Sequence, residues 1–527
     1  MSTMIGRLII VFCFAVTLSL KFTASATIIR VPGDVITIQQ ALDTIQSGDT
    51  VLVSLHTYAE SLIAPAIPFA LIGDVPIDTG DYPRPTIDAS LIGDPLRQNC
   101  LTLTDGSAAT IERLCFRNRA DDHGVWMESA SAVFRHCLFD SLLGALHQDQ
   151  DDALSVVTLD HCSFREYASN VFLPVSALHA QDCDFTAMSG TQLACGANSV
   201  IENCIFTDAR LTAVTNWGEP NMVIRHCIFR NVTDSTFYTF VDLVRFSGRL
   251  EGNLFVNLSL RSSVIGAEVD CHHETVVVDN DFHNCRRIIN QGAPAPLLHI
   301  YCESSASQAY VVERNLMYAC TTSGYSKGIR AEDKGIFLEN RMYDLVGAFN
   351  SFDPAVFGQY ADSMIFRENL FYHNGLAMNV EQSEIVDARW NYWGDATGPH
   401  HESENPEGLG DSILGAVIVD PWYPDTSFLD LSDVHAPLPD HFELDAYPNP
   451  FNATVTLRLI PPEAMIVRVE LFDVLGRRVQ ELWNGPLAFE KRIPFDGSYL
   501  SSGIYFARVW QPIGNRPLAL TKLVLMK

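Results

Sequence analysis

The chain has 527 residues, 47% apolar and 19% charged, which is ample for a buried core and too long for one compact domain, so two or three structural units are expected. Asp and Glu outnumber Lys and Arg by 63 to 35, for a formal charge of −28. No basic stripe interrupts that balance, which argues against a nucleic-acid partner; an acidic surface suits solubility outside the cell and could also favour calcium or cationic ligands.

Residues 1–26 read as a secretory signal. Arg7 precedes the apolar run LIIVFCFAVTLSL at 8–20, and Ala24-Ser25-Ala26 supplies a small-residue cleavage pattern. The run is too short to span a bilayer comfortably, and no other segment approaches that requirement, so no transmembrane segment is expected. Cys13 lacks the small residues that precede a lipidated cysteine, which argues against a lipoprotein.

From residue 114 to residue 393 one short pattern recurs, a pair at i and i+2 whose second member is aromatic or Met. It reads RHCLFD at 135–140, DHCSFR at 160–165, QDCDFT at 181–186, ENCIFT at 202–207 and RHCIFR at 225–230, and continues to WNYWGD at 390–395. The second members, from Phe116 to Trp393, follow one another at intervals of 21 to 35 residues. A period in that range means a solenoid, propeller or array. Each unit holds two or three short runs of Val, Ile, Leu and Phe broken by Asn, Asp, Gly and Ser, without helical apolar spacing. Short strands with variable turns predict an all-β solenoid, a parallel β-helix.

Residues i and i+2 of a strand point to one side, so both members of the pair face the interior. Stacking coils about 4.8 Å apart puts like over like. Cys137, Cys162, Cys183, Cys204 and Cys227 then form one buried ladder, continued by Asn253, Asn280, Asn315, Asn340, Asn369 and Asn391, beside a stack of Phe. Each Asn amide in such a ladder can bond the coils above and below, which satisfies a buried polar group that would otherwise cost about 1–3 kcal/mol.

With this pattern the unit resembles the coil of right-handed parallel β-helix proteins, the pectate-lyase-like superfamily. Residues 27–75 are similar to the amino-terminal cap of secreted members, an extended segment and a short amphipathic helix over the open end. They depart from it at His56, where that family usually has Gly before Thr-Tyr. NYWGDATGP at 391–399 and VIVDPWYP at 417–424 resemble its closing turn. The resemblance implies coils and a closing segment over residues 76–424, about 12–13 coils and roughly 60 Å long.

Residues 425–443 are acidic, contain Pro and lack strand periodicity, as in a linker. Residues 444–527 show alternating strands between Gly and Pro turns, as in a small Ig-like β-sandwich. The opening YPNPFN, the central LFDVLGRRV, the SSGIYFARV strand and the terminal basic strand also resemble, in order, the carboxy-terminal sorting domains of type IX secretion cargo. That likeness implies a Gram-negative cell, the type IX machinery as partner, and release or attachment at the outer surface.

Twelve cysteines remain after residue 26 in a chain sent to an oxidising space. Those of the main ladder are expected as buried thiols, because stacked neighbours lie somewhat beyond bridging distance. Cys271, Cys285, Cys302 and Cys320 lie outside it, and one bridge could form among them. No CxxC occurs, and His272 and His273 beside Cys271 make a poor zinc signature.

Candidate chemistry is scattered. LDHCSF at 159–164 is similar to the calcium-side segment of pectate lyases, but RHCLF and RHCIF occupy the same coil position, so Asp160-His161 is read first as a turn. No Arg-x-Pro-x-x-Arg string accompanies it. Gln150-Asp151-Asp152 resembles one element of polygalacturonase-type hydrolases, in which paired carboxylates supply acid and base. The other elements of that family and the pectin methylesterase pattern are missing, which favours a solvated loop. Arg286 and Arg287 follow a coil turn and could meet an anionic sugar, so Asp151, Asp152, Asp160, His161, Arg286 and Arg287 stand as catalytic candidates. Binding candidates are Asp121, Asp122 and His123 in a turn before GVWM, His272, His273 and Glu274 before VVVD, and Trp217, with Trp126 and Tyr238 as further aromatics that would stack on sugars if outward.

Two functional classes fit. One is an exported, noncatalytic protein that binds a polysaccharide or cell-surface glycan or serves structurally, expected as a monomer. The other is a polysaccharide lyase or glycoside hydrolase. The first is favoured because every catalytic pattern fails by more than one element. No cofactor is identified, and calcium is the ion the acidic balance could take.

Overall fold

The computed structural model describes residues 26–527 except 77–82, 93–98, 119–122, 150–154, 166–170, 187–191, 209–212, 217–219, 233–242, 261–263, 270–274, 288–296, 303–309, 321–327, 333, 346–355, 360–363, 382–385, 429–440, 463–464, 488–489 and 513–515. Side chains are not described at 265–269, 286–287, 301–302, 332, 356–359 and 381. The signal-peptide reading and most of the linker therefore lie outside the described residues.

The described strands stack into three long parallel sheets of 16, 15 and 13 strands. One coil shows the path. Ser131–Arg135 belongs to the first sheet, Leu138–Asp140 to the second and Gly144–Gln148 to the third, and Val156–Asp160 begins the next coil. Between the first and second sheets the chain turns in two residues, and the first of these is left-handed on coil after coil. Arg113, His136, His161, Asp182, Asn203, His226, Gly252, Asp279, Arg314, Glu339, Glu368 and Trp390 all have φ between 52° and 62°. Non-glycine residues rarely adopt that region, although Asn, Asp and His tolerate it best. The next residue points inward; it is Leu114 after Arg113 and the Cys or Asn of the ladder on every later coil of the row.

The core is built as the repeat predicts. Phe139, Phe164, Phe185, Phe206, Phe229, Phe255 and Phe282 stack with centroids 4.6–4.8 Å apart and planes within 7°. Trp393 ends the series on Phe371 at 4.7 Å. In the asparagine ladder, Asn280 Nδ2 donates to Leu250 O on one side and to Asn315 Oδ1 on the other, at 3.0 and 2.9 Å. The junction of the two ladders is closed by Cys227 N donating to Asn253 Oδ1 at 2.8 Å. All ten described cysteines are buried and free. Cys285 and Cys320 are among them and form no bridge; Cys271 and the side chain of Cys302 lie outside the described residues.

At the amino-terminal end the short helix Ile38–Leu42 buries Ile38, Ala41 and Leu42 against the first coil. Thr37 caps it, and Glu60 accepts from the amides of Ile38 and Gln39 at 3.0 and 2.9 Å. A carboxylate at that position satisfies otherwise orphaned donors and opposes the helix dipole. At the other end Trp422 packs on Gly398 and donates from Nε1 to Ala396 O at 3.2 Å. Residues from Glu443 onward form antiparallel sheets of three and four strands around Leu457, Val467, Val469, Leu471, Ala507, Val509 and Leu523.

Candidate functional site

Two regions concentrate side chains beyond those needed for the core. The first is the outer face of the third sheet. Parallel register places Thr102, Trp126, His147, Phe172, Ala194, Thr215, Arg245, Gly266, His299 and Arg330 in one column, one residue per coil. Their neighbours in the strands, such as Val125, Met127, Val171, Leu173, Val244 and Phe246, are buried, so this column points away from the core, with Ala194 and Thr215 in its middle covered all the same. Trp126 stacks on His147 at 4.6 Å and His147 on Phe172 at 5.2 Å, while His123 meets the edge of Trp126 at 5.3 Å. Rings stacked along the axis cover one another's faces and turn their edges outward. Three coils further on, the same column becomes basic, with Arg245, His299 and Arg330. His123, expected in a turn, is the first residue of the strand His123–Met127, because it pairs in register with Gly144 of the next coil.

The second region lies at the tight corner between the first and second sheets. Asp160 Oδ1 is 2.6 Å from His161 Nδ1, and His161 Nε2 is 3.8 Å from Asp182 Oδ2. The His136 ring lies 5.0 Å from that of His161. Asp160 also continues a ladder of alternating charge: Arg135 reaches Glu112 at 3.1 Å and Asp160 at 3.6 Å, a favourable cross-strand arrangement. Its hydrogen bond with His161 holds the Asp160 carboxyl below its usual range. Burial opposes charge on His161, yet the Asp160 bond and the two carboxylates outweigh it and hold the imidazole pKa above its ordinary value. Burial pushes the Asp182 carboxyl up.

The carboxy-terminal sandwich sits on this corner. Ile466 is buried among Ile205, Ile228, Leu254 and Val256, outward residues of four strand positions on the second sheet. Arg468 Nη2 lies 3.6 Å from Asp182 Oδ2. Beside this contact a cavity of about 630 Å³ opens between the two parts, lined by His226, Glu251, Asp279 and Arg314 on one side and by Trp483 and Lys491 on the other.

Of the sequence candidates, the structure brings together Asp160 and His161, and it sets His123 beside Trp126. Arg286 and Arg287 form a short strand paired with Ser259 and Leu260, their side chains outside the described set. Asp121, Asp122, Asp151, Asp152, Trp217, Tyr238, His272, His273 and Glu274 lie outside the described residues. Sequence reasoning missed His147, Asp182 and Arg468. Asp182 had a legible signal, the same offset before its ladder residue as His136 and His161; Arg468 had none.

Residues 144–315 match the family described as the right handed beta helix region, and residues 445–515 match the secretion system C-terminal sorting domain. No curated protein matches the chain. Among solved structures it is similar to a mannuronic acid specific polysaccharide family 6 lyase from human gut microbiota, at 13% identity and a TM-score of 0.31 over 69% of this chain and 86% of that one. It is also similar to the catalytic unit of the GH87 alpha-1,3-glucanase of Streptomyces thermodiastaticus strain HF3-3, at 12% and 0.30 over 74% and 66%. A third likeness, to the alginate lyase of Paenibacillus sp. str. FPU-7, has 10% identity and a TM-score of 0.20 over 74% and 99%. Overlaps this loose say nothing of a ligand.

The chain is a right-handed parallel β-helix protein that ends in a type IX secretion sorting domain. That domain marks it for the type IX machinery and so for the cell surface or the medium. No helix among the described residues is long and apolar enough to cross a membrane.

Proposed function

We propose that this exported β-helix protein is a noncatalytic binder of an acidic extracellular glycan, held along the outer face of the third sheet. The observation that carries the reading is the column Arg245, His299 and Arg330, in register on one face of a chain whose formal charge is −28. Cationic groups repeated at multiples of about 4.8 Å suit an extended polymer that bears a carboxylate on each sugar, since guanidinium groups pair well with carboxylates. The edges of Trp126, His147 and Phe172, with His123, extend the same face toward the amino-terminal end.

A second reading, a polysaccharide lyase or glycoside hydrolase, draws on the same column, because His299 next to Arg330 offers a base beside a cation. One assay separates the two. The full chain is mixed with plant, algal and bacterial polysaccharides, with and without calcium, and both binding and new chain ends are followed. Binding of polyuronates without new ends is expected, weakened by salt and by about tenfold in Arg245→Ala or Arg330→Ala. New ends would overturn the noncatalytic reading, and failure to bind any acidic glycan would overturn the glycan reading altogether.

A further inference from the structure

Asp182 occupies the corner position that neighbouring coils fill with His161 and Asn203. Its side chain has 0% exposure, and its Oδ1 has no hydrogen-bond donor. The other oxygen accepts from Gln181 Nε2 at 3.2 Å and faces two cationic or potentially cationic groups, His161 Nε2 at 3.8 Å and Arg468 Nη2 at 3.6 Å. Both distances are ion-pair separations and too long for hydrogen bonds. A buried carboxylate with so few donors is costly unless a cation compensates it.

The imidazole beside it is oriented as metal-binding histidines are. The bond of its Nδ1 to the Asp160 carboxylate fixes the ring and turns Nε2 toward Asp182. One ligand atom from each of Asp160, His161 and Asp182 lies within 4.8 Å of the other two. Parallel pairing of the strands Val156–Asp160 and Ala177–Gln181 fixes that spacing in the backbone.

We propose that His161 Nε2 and Asp182, with Asp160 holding the imidazole from its Nδ1 side, form a divalent-cation site for an ion of the zinc class, and that Arg468 of the sorting sandwich is its tethered competitor. Imidazole with carboxylates suits zinc better than calcium, which prefers more oxygen ligands. While the sandwich is docked, the guanidinium supplies the positive charge that Asp182 requires. When the sandwich lifts off, the ion takes over that role. The two equilibria are linked, so the ion weakens docking by the same factor by which docking weakens the ion.

The test uses the full chain and the metals alone. Co²⁺ absorbance and Zn²⁺ calorimetry are recorded for the unmodified chain, Arg468→Ala, and Arg468→Ala combined with His161→Gln or Asp182→Asn, with circular dichroism confirming the fold of each. Arg468→Ala is expected to bind Zn²⁺ about tenfold more tightly than the unmodified chain, since a like charge has left the site. Either added substitution should abolish that binding, and excess Ca²⁺ should not compete. Saturating Zn²⁺ should also enlarge the unmodified chain in small-angle scattering. Equal affinity with and without Arg468 would overturn the competition, and Zn²⁺ binding that survives both His161→Gln and Asp182→Asn would overturn the site.

Discussion

Within the asparagine ladder each amide serves its neighbours as well as itself. Asn315 Oδ1 accepts from both the backbone N and the Nδ2 of Asn280, at 3.0 and 2.9 Å. Asn315→Ala therefore leaves the buried backbone N of Asn280 without its acceptor and takes one acceptor from Asn280 Nδ2, which keeps Leu250 O and Val278 O, at about 1–3 kcal/mol for the orphaned donor. A loss in that range is expected in urea denaturation; a change below roughly 0.5 kcal/mol, the scale of a neutral surface substitution, would mean that the ladder is not structural. The ladder and the phenylalanine stack were legible in the sequence because both members of the i and i+2 pair face inward and recur with each coil. Asp182 was legible only as a member of the left-handed corner row, by its place before Cys183, since QDCDFT carries an acidic residue where any turn would accept one. Its ion pair with Arg468 comes from the sandwich, a distant stretch of sequence.

At the scale of elements, the exposed first coil is the vulnerable point of a solenoid. The helix Ile38–Leu42 and the strand Ile28–Val31 cover a sheet edge that would otherwise pair with another chain. Deleting residues 27–60 is expected to yield aggregates on size exclusion, and a soluble monomer would count against the capping role. The cap reading rests on resemblance to secreted β-helix proteins, and the helix Ile38–Leu42 packs on the first coil. The third-sheet face was harder to read, because outward residues carry no periodic apolar signal. The sequence left open whether Trp126 points outward, and its partners His147 and Phe172 become neighbours only through register across coils.

For the molecule as a whole, burial of unionised thiols sets the alkaline limit. Cys137, Cys162, Cys183 and Cys204 are pushed well above the ordinary thiol range by burial, and Cys195 to about 12. A raised folded-state pKa gives stability that is complete below the unfolded value, near 8.5, and is lost as pH rises through the folded one. Denaturation midpoints should therefore hold level from about pH 7 to 8.5 and fall steadily above that, under reducing conditions. A flat profile to about pH 10.5 would show that these thiols are not desolvated in solution.

The sandwich is seated where the first and second sheets meet, and the third sheet is the one side of each coil that does not share that corner. A chain gripped by its tail consequently turns the Trp126–Arg330 column away from whatever grips it. In a chain held at the cell by this domain, the address would also be a handle, with the column looking out and the opposite corner kept against the surface.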